Sequence, residues 1–351
     1  MESKDNIRLL NITAALLLTG FSVYVLKELS SILIPFVLAV FISFAFEPFY
    51  MWLKSKKIPS GIAIAVILLI IIVIANIAGA FIVAGIDSFS SGFNEYEKKF
   101  IEMFNSVVNS LNLKENDRVS LNEFLKISNL LKQGSITSLL GNFFTSIVGI
   151  FSDFIIILFY VIFILSELSG IKERIESAFP GNNSKKITDT LDRVFKDVRK
   201  YISGKTIISL ALGLLSGITL WIFGVDFYFI WGFLIFIMHF IPSFGALIAI
   251  TFPSIVMFLQ FDSIVKPVIV TSLLILLQNL IGNIVEPKVL GGRLNLSPLL
   301  LLLSLFIGGY VWGIIGMVLS VPVMSMIKIV LMNFDSTKPI AVLMSYNSDK
   351  Q

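Results

Sequence analysis

Cysteine is absent from the 351 residues, histidine occurs once, as His239, and charged side chains make up 14% of the chain. The first absence removes disulfides, iron–sulfur clusters and thiol nucleophiles. The second removes the usual zinc centres, which need several imidazole or thiolate ligands. The shortage of charge is the most restrictive. Soluble domains carry roughly 25% charged residues, and too few remain here to clothe a water-facing surface, so a soluble enzyme is excluded. There is no phosphate-binding loop, nucleophile elbow or paired-acid motif, so ATP-driven chemistry has no support and neither cofactor nor metal is expected.

What fills the chain is apolar: 56% of residues are hydrophobic, and the mean hydropathy is +0.92. Runs of about 18 or more apolar residues recur along the whole length, the pattern of membrane-spanning helices. They do not alternate, as the strands of a membrane barrel would. The expected fold class is all-α: a polytopic membrane protein with about 6 full spans plus two broken or re-entrant helical hairpins. The spans fall near residues 8–27, 30–53, 60–86, 142–166, 205–223 and 264–282. Two further stretches, 227–260 and 298–330, are too long for one span and short for two, and each holds helix breakers near its middle. The first has Pro242, Ser243 and Gly245; the second opens at Ser297-Pro298 and carries Gly308, Gly309 and Gly313. A half-depth hairpin is the economical reading of both, since a mid-membrane turn is tolerated where protein or a wet cavity surrounds it. Two long kinked helices are the alternative.

Lysine and arginine set the expected orientation. A formal net charge of +4 is read here as topology, not as a nucleic-acid footprint. Lys4 and Arg8 precede the first span, Lys54, Lys56 and Lys57 follow the second, and nine bases lie between Lys172 and Lys205. Placing these in the cytoplasm puts both termini there and residues 87–141 outside. The organisation expected is three spans within 1–86, an extracytoplasmic amphipathic helical segment at 87–141 and a fourth span at 142–166. Cytoplasmic amphipathic helices follow at 167–204, then a core with both hairpins at 205–331 and a cytoplasmic tail at 332–351. In the outer segment Phe89, Phe93, Tyr96, Phe100, Phe104, Val107 and Leu111 keep helical spacing; in the inner one Ile187, Leu191, Val194, Val198 and Ile202 do the same.

Charge inside a membrane needs a reason, because an ionised side chain at mid-depth costs about 2.5–3.5 kcal/mol. Three acids raise the question: Asp153 within the fourth span, Glu47 just before Pro48, and Glu286. The last closes a polar series. On a helix Gln278, Gly282 and Glu286 share one row, and Asn279 and Asn283 the next. Amides donate and accept together, which suits a neutral polar solute or a partly dehydrated cation. A desolvated Glu286 could also carry a proton. The structural alternative is a hydrogen-bonded clasp between helices. His239, three residues before Pro242, is expected to cap or line that turn and not to hold a metal. Ser209, Gly213 and Gly217 read as a close helix-packing face, as do Gly309 and Gly313.

The stretch from Trp231 to Pro253, the stretch from Gln278 to Gly292, and Leu296-Ser297-Pro298 with Gly308, Gly309, Gly313, Gly316 and Pro322 resemble the autoinducer-2 exporter family, over nearly the full chain. The resemblance implies a multi-pass permease of the bacterial inner membrane, a homo-oligomer with a pentamer as the implied assembly, and hairpins that move during transport. Some relatives export autoinducer-2; others exchange sodium or lithium for protons. Two residues depart from the pattern, both toward ion involvement: Glu47 stands where a neutral polar residue is expected, and Asp153 is an added acid. The first expectation is thus a secondary transporter exporting a small polar solute by alternating access, with Gln278, Asn279, Asn283, Glu286 and Asp153 at the site and the hairpin turns as gates. A sodium (lithium)/proton antiporter and a non-transporting oligomeric membrane scaffold are the alternatives. The partners expected are the lipid bilayer, a small polar solute or monovalent cation, and further copies of the chain, with no nucleic acid.

Overall fold

The computed structural model describes residues 13–14, 17–18, 20–80, 96, 99, 102, 153–168, 170–179, 182–241, 244–290 and 296–346. The first span is thus described in part. Most of the outer segment, the fourth span before Asp153, and the turn residues Pro242 and Ser243 lie outside the described residues. Among those described the fold is all-α, with one isolated antiparallel bridge between Leu296 and Ser345. Five helices are long and apolar enough to cross a membrane, and the chain is a polytopic helical membrane protein. It folds as two compact units, one from residues 1–64, 153–199 and 295–349, the other from 65–152, 200–294 and 350–351.

The first unit is built on α1 (Ser30–Ser55) and α3 (Phe154–Leu168), with α2 (Ser60–Ala80) starting here and continuing in the second unit. α1 buries Pro35, Ala39, Ser43, Glu47 and Tyr50, one stripe at three- and four-residue spacing. α3 buries Ile157, Val161 and Leu165 and leaves Ile155, Phe159 and Phe163 exposed, the pattern of a helix with one protein face and one lipid face. Phe36 meets Tyr160 edge-to-face with ring centroids 5.5 Å apart, holding α1 against α3. After the short α4 (Ile171–Ala178) comes α5 (Asn182–Ile222), 41 residues without a break. Its length, about 60 Å, is twice the hydrocarbon thickness. The cytoplasmic amphipathic helix and the fifth span expected separately are therefore one rod. Val194, Val198 and Ile202 continue without interruption into the buried Ile208, Leu212 and Leu220.

Both long apolar stretches are hairpins. In the second unit α6 (Tyr228–Met238) and α7 (Phe244–Gln260) form the first. At its tip a Cβ on Gly245 would lie 1.8 Å from the Met238 carbonyl oxygen, so only glycine fits the turn. At its base Phe227 and Gly224 adopt left-handed φ of 58° and 67°. Gln260 ties this base shut: its amide donates to the Gly224 carbonyl (2.8 Å) and accepts from the Asp226 N–H (2.9 Å). Trp231 Nε1 donates to the Asp226 carbonyl at 3.1 Å, and Tyr96, from the segment expected outside, bonds the Asp226 carboxylate. Gly213 and Gly217 of α5 seat α6, because a Cβ on Gly213 would fall 2.7 Å from the Gly232 carbonyl oxygen. α8 (Val265–Leu290) then closes the unit and contains a π-helical stretch, Leu280–Val285.

In the first unit α9 (Pro298–Met332) is long enough for a single span, yet it folds back on itself. Trp312 and Gly313 leave helical geometry, and Gly313 takes φ 63°, ψ −145°, a region open to glycine. The arms then pack backbone to backbone: a Cβ on Gly308 would meet the Gly316 carbonyl oxygen at 2.4 Å. Eight residues of unbroken helix would hold those groups about 12 Å apart. Ser297 and Pro298 do not lie in this turn. They stand at the base, where the Ser297 hydroxyl accepts from the Leu300 N–H (3.2 Å) and Pro298 takes the first helical turn, the ordinary start of a helix. The base is pinned by the Leu296–Ser345 bridge, with the Ser297 N–H on the Met344 carbonyl, next to α10 (Lys338–Leu343).

Candidate functional site

Polar residues in the second unit collect on facing sides of α7 and α8. Between them runs an open groove of about 660 Å³. Thr251 and Ser254 line it from α7, and Thr271, Gln278, Asn279 and Asn283 line it from α8, over an apolar floor that includes Ile250, Phe258 and Ile275. Asn279 donates to the Ile275 carbonyl and Asn283 to the Asn279 side-chain oxygen, both at 2.8 Å, so the two asparagines form a ladder along one face. The Gln278 amide has no hydrogen-bond partner among the described residues. Across the groove Thr271 donates to Ser254 at 3.0 Å, and Ser254 donates back to the Ile250 carbonyl. Amides left unpaired in hydrocarbon are costly, so this face needs water, solute or protein against it. The groove has donors and acceptors but no formal charge.

Glu286 is elsewhere. The π-helical stretch runs from Leu280 to Val285 and replaces the α-helical register between Asn279 and Glu286. Glu286 therefore leaves the row of Gln278 and faces α5 and the tip of the first hairpin. There Lys205 Nζ lies 2.6 Å from one carboxylate oxygen, and His239 Nε2 lies 3.4 Å from the other. His239 Nδ1 sits 2.9 Å from the Ser209 hydroxyl. The tautomer that satisfies both contacts carries its proton on Nε2, donating toward Glu286 while Nδ1 accepts from Ser209. The Lys205 and His239 side chains are 5% and 3% exposed, and Glu286 is 19% exposed. Gly204 makes the approach possible: a Cβ there would strike the Leu290 side chain at 2.6 Å, so α5 and α8 cross closely one residue from Lys205.

Of the residues singled out in the sequence, Gln278, Asn279 and Asn283 share the groove, and Glu286 closes a charged cluster beside it. The two meet at Gly282, whose Cβ position lies 3.4 Å from Gln278 Nε2 and 3.9 Å from His239 Nε2. Asp153 belongs to the first unit and stands half-buried immediately before α3, its carbonyl accepting from the Ile157 N–H. Glu47 is buried on α1 in a two-pronged pair with Arg199, whose Nε donates at 2.7 Å. Sequence reasoning passed over Thr251, Ser254 and Thr271, and read Ser209 as a packing residue and Lys205 as a topology signal. The available signal for Lys205 was a base opening an apolar span, which the positive-inside pattern had already absorbed.

These features define a helical membrane protein with two interrupted, folded-back segments and a polar groove beside one of them. Residues 12–335 match the AI-2E family transporters, and the chain belongs to that family. It is 28% identical over 321 residues to the AI-2 transport protein TqsA of Escherichia coli (strain K12), covering 90% of each chain. It is 26% identical to Escherichia coli YhhT over 90% of this chain and 88% of that one. A Borreliella burgdorferi protein named for transport is 35% identical over 214 residues, 60% of this chain and 59% of the relative.

Proposed function

We propose that this chain is a secondary transporter of the bacterial cytoplasmic membrane that exports a small, uncharged polar solute by alternating access, with both termini in the cytoplasm. The observation that carries the reading is the groove between α7 and α8, where three hydroxyls and three amides surround a volume suited to a small ligand without a charged group. A solute with several hydroxyl or carbonyl groups could exchange its water contacts for Thr251, Thr271, Gln278, Asn279 and Asn283 at little net cost. The name of TqsA, at 90% coverage, supports an autoinducer-2-like signal as the first solute to test. Glu286, the carboxylate that cation exchange would use, is held by Lys205 and is absent from the groove lining, so the solute reading is better supported than sodium/proton antiport.

The test is solute flux in proteoliposomes under an imposed proton or sodium gradient. The Asn279→Ala/Asn283→Ala double variant removes two side-chain amides, each worth about 1–1.5 kcal/mol of contact, and flux at low solute should fall roughly tenfold or more. Unchanged flux would detach the groove from transport. Flux of sodium against protons with no solute movement would replace this reading by antiport.

A further inference from the structure

The first hairpin is fastened in two different ways. Its base is knotted by neutral hydrogen bonds through Gln260, Gly224 and Asp226, and α6 is seated on α5 by glycine contacts at Gly213, Gly217 and Gly232. Its tip is held by charge. His239, the residue after α6, is the tip's polar group in the Lys205–Glu286 cluster, and α7, one wall of the groove, begins five residues later at Phe244. Beyond the tip, α7 and α8 meet through the hydroxyl pair Thr271–Ser254.

We propose that Lys205, Glu286 and His239 form a latch on the tip of the first hairpin, and that neutralising Glu286 releases the tip and lets α7 swing about its base to open the groove. The proposal rests on the transport reading for its purpose but not for its test. The carboxylate is the one acceptor on which both other groups converge. Loss of the Glu286 charge leaves the Lys205 ammonium without its counter-charge and His239 without its carboxylate partner. Among the described residues, the groups facing Glu286 are Lys205 from α5 and His239 from the tip; Lys288, on its own helix, is exposed. Since a Cβ on Gly282 would lie within 4 Å of both Gln278 Nε2 and His239 Nε2, the tip borders the end of the groove, and its release would be felt there. Lys205, Glu286 and His239 are positioning residues in this scheme: they act on the solute through α7.

The absence of cysteine makes the test direct. Ala249 lies on α7 near the tip and is 2% exposed. In the Ala249→Cys protein, the rate of labelling by a water-soluble maleimide reads how often α7 leaves its seat, with no solute present. Adding Glu286→Gln should raise the rate about tenfold at pH about 8, as the loss of one charged hydrogen bond shifts the open population. The exchanged pair Lys205→Glu/Glu286→Lys should return labelling toward the parent rate. Equal rates in parent and Gln variant would overturn the latch, as would fast labelling of the exchanged pair in a protein that still elutes as one species. Should the Gln variant not elute so, His239→Ala in the Ala249→Cys protein decides: it removes the tip's own contact with Glu286 and should also raise the rate, and an unchanged rate overturns the proposal. Faster labelling of these variants in a protein without solute flux would end the transport reading and keep the latch; flux with unchanged labelling would do the reverse.

Discussion

Glu47 shows what a residue embedded in an apolar helix requires. Its carboxylate is buried on α1 and takes both prongs of the Arg199 guanidinium, a partner 152 positions away. The fork geometry matters as well as the charge. Glu47→Gln should lower stability by about 1.5–3 kcal/mol, the usual worth of a hydrogen bond to a charged group. Arg199→Lys, keeping the charge and losing the fork, should recover part of it. Thermal unfolding in detergent checks both, and a Gln variant as stable as the parent would show the pair to be idle. The sequence flagged Glu47 and Glu286 because an acid in an apolar run stands out, but it offered no partner: complementary bases lay in a segment whose charge already had a topological explanation. Gln278, Asn279 and Asn283 were legible for the same reason of contrast. The hydroxyls were not. A serine in a membrane helix can satisfy itself on the carbonyl one turn back, as Ser254 does on Ile250, and so carries no visible demand for a partner.

Helices in this protein approach one another where glycine removes the side chain, and the small-residue motif in α5 divides into two unlike positions. A Cβ on Gly213 would lie 2.7 Å from the Gly232 carbonyl oxygen and 2.8 Å from Phe236 Cβ, whereas one on Gly217 would meet nothing nearer than 3.6 Å. Gly213→Ala should therefore cost about 1–3 kcal/mol through overpacking against α6. Gly217→Ala should be neutral or gain up to about 1 kcal/mol from helix propensity. Equal effects in thermal unfolding would contradict this seating of α6 on α5. The motif could be read from spacing, but the unequal burden could not, because it depends on where Gly232 lands. The same holds for the second hairpin. Its breakers announced a turn, yet Gly308 serves to bring the arms together, and the reversal falls at Trp312–Gly313. The π-helical stretch of α8 left no trace in the apolar pattern, and it is what separates Glu286 from the amides.

For the whole molecule the decisive question is how deep the hairpins reach, and the first unit answers it for α9. The second arm, about 20 residues from Gly313 to Met332, is about 30 Å long and matches the hydrocarbon core; the first, about 15 residues, is somewhat shorter. At the tip Trp312 Nε1 donates to the Leu26 carbonyl at 2.9 Å, and Lys27 Nζ sits 5.1 Å from the centre of the Tyr310 ring. Leu26 and Lys27 belong to the connection between the first apolar run and α1. If the first apolar run is a span, as its length suggests, these contacts would carry the tip of α9 to the far side, deeper than the half-depth hairpin expected from the breakers. Its base closes on itself through Leu296 and Ser345, so entry and exit share one side. The orientation expected from the positive-inside pattern would put that side in the cytoplasm with Lys54, Lys56 and Lys57. Single cysteines at Ser55, Ser297 and Asp335 should then react with an impermeant maleimide only in inverted vesicles, and Tyr310→Cys only in intact cells. An unbroken rod would place Ser297 and Asp335 on opposite faces, and a half-depth hairpin would leave Tyr310→Cys unreactive from both. Either pattern would show that the Trp312–Leu26 contact does not hold in the membrane, and the first would also remove the folded-back geometry on which the architecture of this unit stands.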